Sequence, residues 1–192
     1  MKKYRIAAVL LTALMAFSAA GCSNNKTKSN PTSESSTIAN LQDPLASNSI
    51  QASLSQETEK NETMYTLNRV VDSGKRSENN ERFIYLDITI RNSSSTDYEL
   101  SALNNFYLLL DDGNEIHFDV RTQLYAQSNI DGYVTNPFTV AVGAEVSGIT
   151  GGFLLSDNVT SFQVCFFPTG ASGDDKSSVV KVPVTAADIV TL

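Results

Sequence analysis

From Met64 onward, short runs of Val, Ile, Phe, Tyr and Thr are cut by Gly, Asn, Asp and Pro, the texture of strands joined by turns. The clearest run is 82–91. Ile84, Leu86, Ile88 and Ile90 fall on one side of it, and Tyr85, Asp87, Thr89 and Arg91 on the other. Strand side chains point alternately to two faces, so this period of two predicts a strand with one buried face. Residues 64–72 predict a strand before it. The run 105–110 is apolar on both faces and predicts a strand packed on two sides. Asp111-Asp112-Gly113-Asn114 reads as a turn, with 115–120 returning as the hairpin partner. Residues 138–142 and 146–155 follow, separated by Gly143-Ala144. Gly148, Gly151 and Gly152 leave the second of these with little side chain, which predicts a bulge or close backbone packing. Residues 161–167, with Phe162, Val164 and Phe166 inward, and 179–184 after a turn at 169–178, complete the set. About seven to nine short strands with no helix predict an all-β fold, an antiparallel β-sandwich.

The other end of the chain has a different order. Lys2, Lys3 and Arg5 precede an apolar run, 6–17, and then Ser18, Ala19, Ala20 and Gly21 lead to Cys22. Basic, apolar and small residues in that sequence mark a secretory signal. The run falls short of the ~20 apolar residues that a membrane-crossing helix needs. Ala19-Ala20-Gly21-Cys22 resembles the lipobox of bacterial lipoproteins, with Ala19 where Leu is usual. The resemblance implies that 1–21 is a signal peptide and that Cys22 becomes the first residue, its thiol carrying diacylglyceryl and its chains drawn from fatty acids such as palmitate. Two acyl chains at ~0.8 kcal/mol per buried CH₂ make a durable anchor on the outer face of the cell membrane. A cut after Ala20 by the ordinary peptidase would instead give a secreted protein.

Between the signal and the strands, 22–62 reads as the lipidated cysteine followed by a tether. Nearly half of 23–62 is Ser, Thr or Asn, and no aromatic occurs between Phe17 and Tyr65. Such a stretch cannot bury enough apolar surface to offset its ordering entropy, so it is expected to be disordered. As a flexible coil it would hold its ends ~35 Å apart. The domain is therefore expected to span 63–192.

Charge narrows the partners. Removing 1–21 takes away the three positive charges of Lys2, Lys3 and Arg5, and the formal charge of −7 falls to −10. An acidic chain of this kind is repelled by nucleic acid, and membrane contact is expected through the lipid. Of the two cysteines, Cys165 then has no partner for an internal disulfide, and its neighbours in SFQVCFF predict a packed core thiol.

Candidate chemistry is sparse. The single histidine, His117, alternates with Glu115 and Asp119, which would place the three on one strand face as metal ligands or as the wet side of a hairpin. Asp111, Asp112, Asn114 and Glu115 carry oxygens suited to Ca²⁺, in a pattern that hairpin turns also use. No nucleophile–His–acid set has a motif around it, so the chain is expected not to be an enzyme and to need no cofactor. The loop 125–137 is the candidate binding segment. Tyr125 and Tyr133 offer rigid amphipathic area there, either for recognition or to cap the sandwich.

Residues 82–92, then Asn105 to Glu115 with its Phe-led strand and Asp-Gly turn, then 142–148, are similar to the DUF4352, or telokin-like, domain of Gram-positive lipoproteins. That pattern has a strand ending in Asn, a Phe-led strand reaching an Asp-x-Gly turn, and a Pro-Gly-Glu before a Gly-containing strand. Here no Pro precedes Gly143, and Ala144 is inserted. The likeness spans 64–168. It implies an immunoglobulin-like sandwich, similar to the immunoprotective extracellular antigen of mycobacteria, and brings no catalytic residues. Two functions are expected, with a metal-dependent enzyme kept as a third alternative. One is a surface-displayed binding or interaction module for a protein or glycan of the envelope, or a host surface. The other is an accessory subunit of an export or transport complex, using an exposed sheet face that includes Tyr85 and Thr89.

Overall fold

The alternating isoleucines of 84–90 form the middle of the molecule. This computed structural model describes residues 49–168 and 178–192. The signal segment, Cys22 and the tether up to 48 lie outside the described residues, as does most of the turn expected at 169–178.

Twelve strands are described, six of them only two or three residues long. In chain order they are β1 (Ile50–Gln51), β2 (Thr58–Lys60), β3 (Thr63–Arg76), β4 (Arg82–Asn92), β5 (Tyr98–Leu100), β6 (Phe106–Leu110), β7 (Glu115–Ile116), β8 (Phe138–Val140), β9 (Glu145–Leu155), β10 (Ser161–Phe166), β11 (Val180–Thr185) and β12 (Ile189–Thr191). One sheet runs β1-β11-β10-β6-β7. The other runs β12-β3-β4-β9, with β2 also on β3, and β5 with β8 forms a two-stranded ribbon. Pairing is antiparallel except for β1 on β11 and β12 on β3. This is an all-β sandwich.

Three expectations need correction. The fold includes strands from Ile50, so the segment expected to be a tether up to 62 supplies β1 and β2, held by β11 and β3. The hairpin partner expected over 115–120 pairs only at Glu115 and Ile116. Among the described residues are two α-helices, α1 (Ala102–Asn105) and α2 (Val120–Asn129), where none was expected, and the second covers the first part of the loop expected over 125–137.

The core lies between the two sheets. Ile84, Leu86, Ile88 and Ile90 of β4 meet Phe106 and Leu108 of β6, Phe162, Val164 and Phe166 of β10, and Val180 and Val182 of β11, all buried. Each such side chain contributes ~1.5–3 kcal/mol relative to exposure. Two buried asparagines tie the loops to this frame. Asn92, ending β4, donates to the carbonyls of Thr96 (2.8 Å) and Val140 (3.0 Å) and accepts from the Ser94 amide (2.8 Å). Asn105 donates to the Phe167 carbonyl (3.1 Å) and accepts from the Ser101 amide (2.8 Å). Buried backbone groups cut off from water must find such partners, which gives the strand-ending Asn a structural role.

At the centre, Tyr65 stacks on Phe166 with ring centroids 4.5 Å apart. Its hydroxyl is buried and has no hydrogen-bond partner among the described residues. Burial also pushes its pKa well above the ordinary phenol value. An unsatisfied buried hydroxyl costs ~1–3 kcal/mol, so Tyr65→Phe is expected to leave stability unchanged or to raise it by up to ~1 kcal/mol. Urea unfolding measures this, and a clear loss of stability would show that the hydroxyl is satisfied.

Candidate functional site

α2 crosses the outer face of the β12-β3-β4-β9 sheet, and its local sequence accounts for its position. Asp119 caps it, accepting from the Arg121 amide at 2.9 Å, while the Asp119 amide donates to the Gly152 carbonyl at 3.0 Å. The Asp119 carboxylate also binds the Arg121 guanidinium at 2.7 Å, and these contacts hold its pKa below the usual carboxylate range. Arg, Gln, Leu and Ala are good helix formers, and the Asx cap satisfies a free amide of the first turn.

The inward side of α2 closes a second, smaller core. Ala126 and Ile130 pack with Val71 of β3, Phe83 and Tyr85 of β4 and Ile149 of β9. The Tyr85 hydroxyl donates to the Thr122 carbonyl at 2.8 Å. The helix comes this close because β9 bulges. Ile84 pairs with Phe153 but Leu86 pairs with Thr150, so Tyr85 faces two residues, Gly151 and Gly152. Gly151 has φ +82° and Gly152 φ +142°, and a Cβ at 152 would overlap the Thr122 side chain. The bulge expected from the glycines is present, and it makes room for the helix.

The two candidate tyrosines of 125–137 are part of this cover. Tyr125 stands edge-on to Phe83, centroids 5.7 Å apart. Tyr133 stands edge-on to Tyr85 at 6.2 Å, and its hydroxyl donates to the Gly151 carbonyl at 2.8 Å. Asn136 donates to that hydroxyl at 3.3 Å and accepts from the Ala102 amide at 2.8 Å, linking α1 to the same network. Both rings are half-buried on the sheet's outer face. The sheet face expected to be open is correspondingly divided: Tyr85 is fully buried under α2, and Thr89 keeps partial exposure.

The polar candidates are dispersed. Asp112 is occupied by Asn114, accepting from its amide at 3.0 Å and its side chain at 2.8 Å. Asp111 accepts from the Ser161 hydroxyl. His117 Nε2 lies 3.3 Å from Glu115, and Asp119 is drawn off to cap α2, so the three do not share a strand face. Among the described residues, no group of three or more His, Cys, Asp or Glu side chains is placed to hold a metal ion. Asp111 and Asp112 line one side of an open hollow of about 220 Å³ at the sandwich end, facing Asn158, Thr160 and Ser161 across it. Arg82 fixes that far side by donating to the Val159 carbonyl at 2.9 Å.

What α2 presents outward was not foreseen. Val120 and Leu124, one helical turn apart, are 59% and 62% exposed. Residues at i and i+4 share a helix face, so they form an apolar ridge opposite the Ala126–Ile130 side. Leu103 of α1 is also 62% exposed. The missed signals were the Asp119 cap and the spacing of Thr122, Tyr125, Ala126 and Ile130, which keeps one helical face.

These elements define the protein's class as an all-β sandwich carrying a helix on one sheet. The fold is similar to that of ycdA of Bacillus subtilis, whose crystal structure presents it as a candidate lipoprotein. The match has a TM-score of 0.51 and 13% identity, and covers 69% of this chain and 39% of that one. The yjhA protein of the same organism matches with a TM-score of 0.46 and 14% identity, over 68% of this chain and 98% of that one. No family model matches the chain, and no curated protein does.

Two outcomes are expected. Gly152→Ala places a methyl group against Thr122 at a strained φ and should destabilise the domain by ~1–3 kcal/mol. Hydrogen exchange should show the loss first in α2, and unchanged protection there would contradict the close approach. Burial pushes the Tyr133 phenol up to about 12 from an ordinary 10.0. A raised folded-state pKa gives stability that is full below the unfolded value and lost as pH rises through the folded one. Melting temperature should therefore fall between pH 10 and 12, and fall less steeply in Tyr133→Phe.

Proposed function

We propose that this chain is an extracytoplasmic lipoprotein, held by Cys22 at the outer face of the membrane, that displays a DUF4352-like sandwich as a binding module for a protein of the cell envelope. The observation that carries the binding reading is the Val120–Leu124 ridge. A helix whose inner side is already buried gains nothing from keeping two large apolar side chains in water, whereas such i, i+4 anchors fit a groove on a partner. The lipobox-like segment and signal order support the anchor, and the fold it shares with a candidate lipoprotein agrees with it. Among the described residues, no helix is long and apolar enough to cross a membrane. The reading assigns no catalytic step.

An accessory subunit of an export or transport complex is the alternative reading. Its contact surface moves from the sheet face around Tyr85, now covered, to the same helical ridge.

Cys22→Ala should shift the protein from the membrane fraction to the medium or the soluble envelope fraction. Retention in the membrane fraction would remove the anchor. In the anchored protein, Val120→Asp with Leu124→Asp should leave the melting temperature within about 2 °C, since exposed positions change stability by only ~0.5 kcal/mol. Envelope proteins crosslinked to the native chain should be lost from this variant, and an unchanged crosslinking pattern would contradict the ridge.

A further inference from the structure

The ridge on α2 is convex and short. Val120 and Leu124 stand one helical turn apart, opposite the side that packs on the sheet, so what receives them is an apolar cleft about one turn long. The charges around the ridge narrow the occupant further. Every arginine among the described residues lies within 3.7 Å of a carboxylate, so the arginines are engaged in internal pairs. In α2 that pair is Arg121 with Asp119 at 2.7 Å, which leaves the first turn neutral.

Carboxylates without such a partner stand at both ends of the helix. At the N-terminal end the turn between β3 and β4 comes alongside. Asp119 holds the Arg121 guanidinium protonated, and Glu81 and Glu78 of that turn add to the effect from further off. The Ser77 hydroxyl donates to the Glu81 carboxylate at 2.8 Å, and the Ser77 amide to the Glu81 carbonyl at 2.9 Å, so the turn is fixed and the charge is kept. Glu78 is exposed and has no side-chain partner among the described residues. Lys75 lies in the same hairpin and offsets one of the two. At the other end Asp131 is likewise exposed and without a side-chain partner. At 1.5 Å per residue it stands ~10 Å beyond Leu124 along the helix. That is about the Debye length at ~0.1 M salt, so these carboxylates act on whatever approaches the ridge.

Their sign sets two occupants aside. An anionic lipid surface is repelled. A second copy of the chain would bring the same carboxylates against each other. Two convex ridges also touch only along a line, far short of the ~800 Å² per partner that a stable interface buries. A cleft, by contrast, can close around the flanks of the helix.

We propose that the occupant of the ridge is an envelope protein with an apolar cleft whose rim carries lysine or arginine, set to meet Glu78 and Glu81 at one end of α2 and Asp131 at the other. This rests on the binding reading of the ridge and adds the chemistry of the partner. The apolar pair supplies the contact, and the carboxylates steer the approach.

The test uses the full chain with a photoreactive side chain at 124, in isolated envelopes where the salt concentration can be set. Crosslinked product from the otherwise native chain should fall ~10-fold between ~20 mM and ~300 mM salt, as steered association does. Glu78→Lys with Asp131→Lys changes two exposed side chains that bond nothing in the fold. It should lower the product at ~20 mM salt by a similar ~10-fold and remove the salt dependence. Glu78→Gln with Asp131→Asn should fall between the two. A product that ignores both salt and these substitutions would overturn the basic rim while leaving the ridge as a binding site. A product made only of two copies of this chain would overturn it as well. No product from position 124 at any salt would instead remove the binding reading itself, and this inference with it.

Discussion

The double-glycine bulge in β9 is the constraint on which the outer architecture rests. It inserts one residue opposite Tyr85, so that β4 pairs at Ile84 with Phe153 and at Leu86 with Thr150. The side-chain-free patch lets Thr122 approach the strand backbone. With α2 that close, Tyr85 can be buried, hydrogen-bonded and flanked by Tyr133. Around 83–86 β4 is thereby buried on both faces, with Ile84 and Leu86 in the sandwich core and Phe83 and Tyr85 under the helix. A side chain at 152 would meet Thr122 of the helix and one at 151 the ring of Phe153, and a packed interior cannot absorb the extra atoms in either place.

The strands that carry the core were legible because period two survives wherever one face meets the core. β4, β9 and β10 begin and end within a residue of the runs that predict them. α2 was not legible by the same logic. Its buried side is Thr122, Tyr125 and Ala126, small or polar-tipped, while its most apolar residues, Val120 and Leu124, face outward. Apolar residues thus fall on both sides of the helix, and the hydrophobic pattern alone does not single out the buried one. Asp119 looked like the third member of a ligand-bearing strand face and is instead a helix cap. The short strands β1, β2 and β12 are set by the edges they join, and two or three residues carry no period of their own. Cys165 could be placed in a packed environment from its neighbours, but which sheet face it occupies depended on the register of β10.

The same geometry redistributes the functional candidates. Tyr125 and Tyr133 pack on the sheet beneath and beside the helix, so their rings contribute to the scaffold, and the surface proposed for recognition is the side of α2 that they leave outward. The acidic turn around Gly113 spends its oxygens on Asn114 and Ser161. An apolar ridge on a helix braced by a bulge, a cap and a tyrosine hydrogen bond is a preorganised surface, the kind that loses little entropy on docking.

The most direct measurement places a photoreactive side chain, one position at a time, on the full chain in living cells. Position 124 samples the helical ridge, 89 the remaining open sheet face, and 112 the hollow at the sandwich end. The account predicts a discrete crosslinked partner from 124 and none from 89 or 112. Crosslinks from 89 or 112 with none from 124 would contradict it.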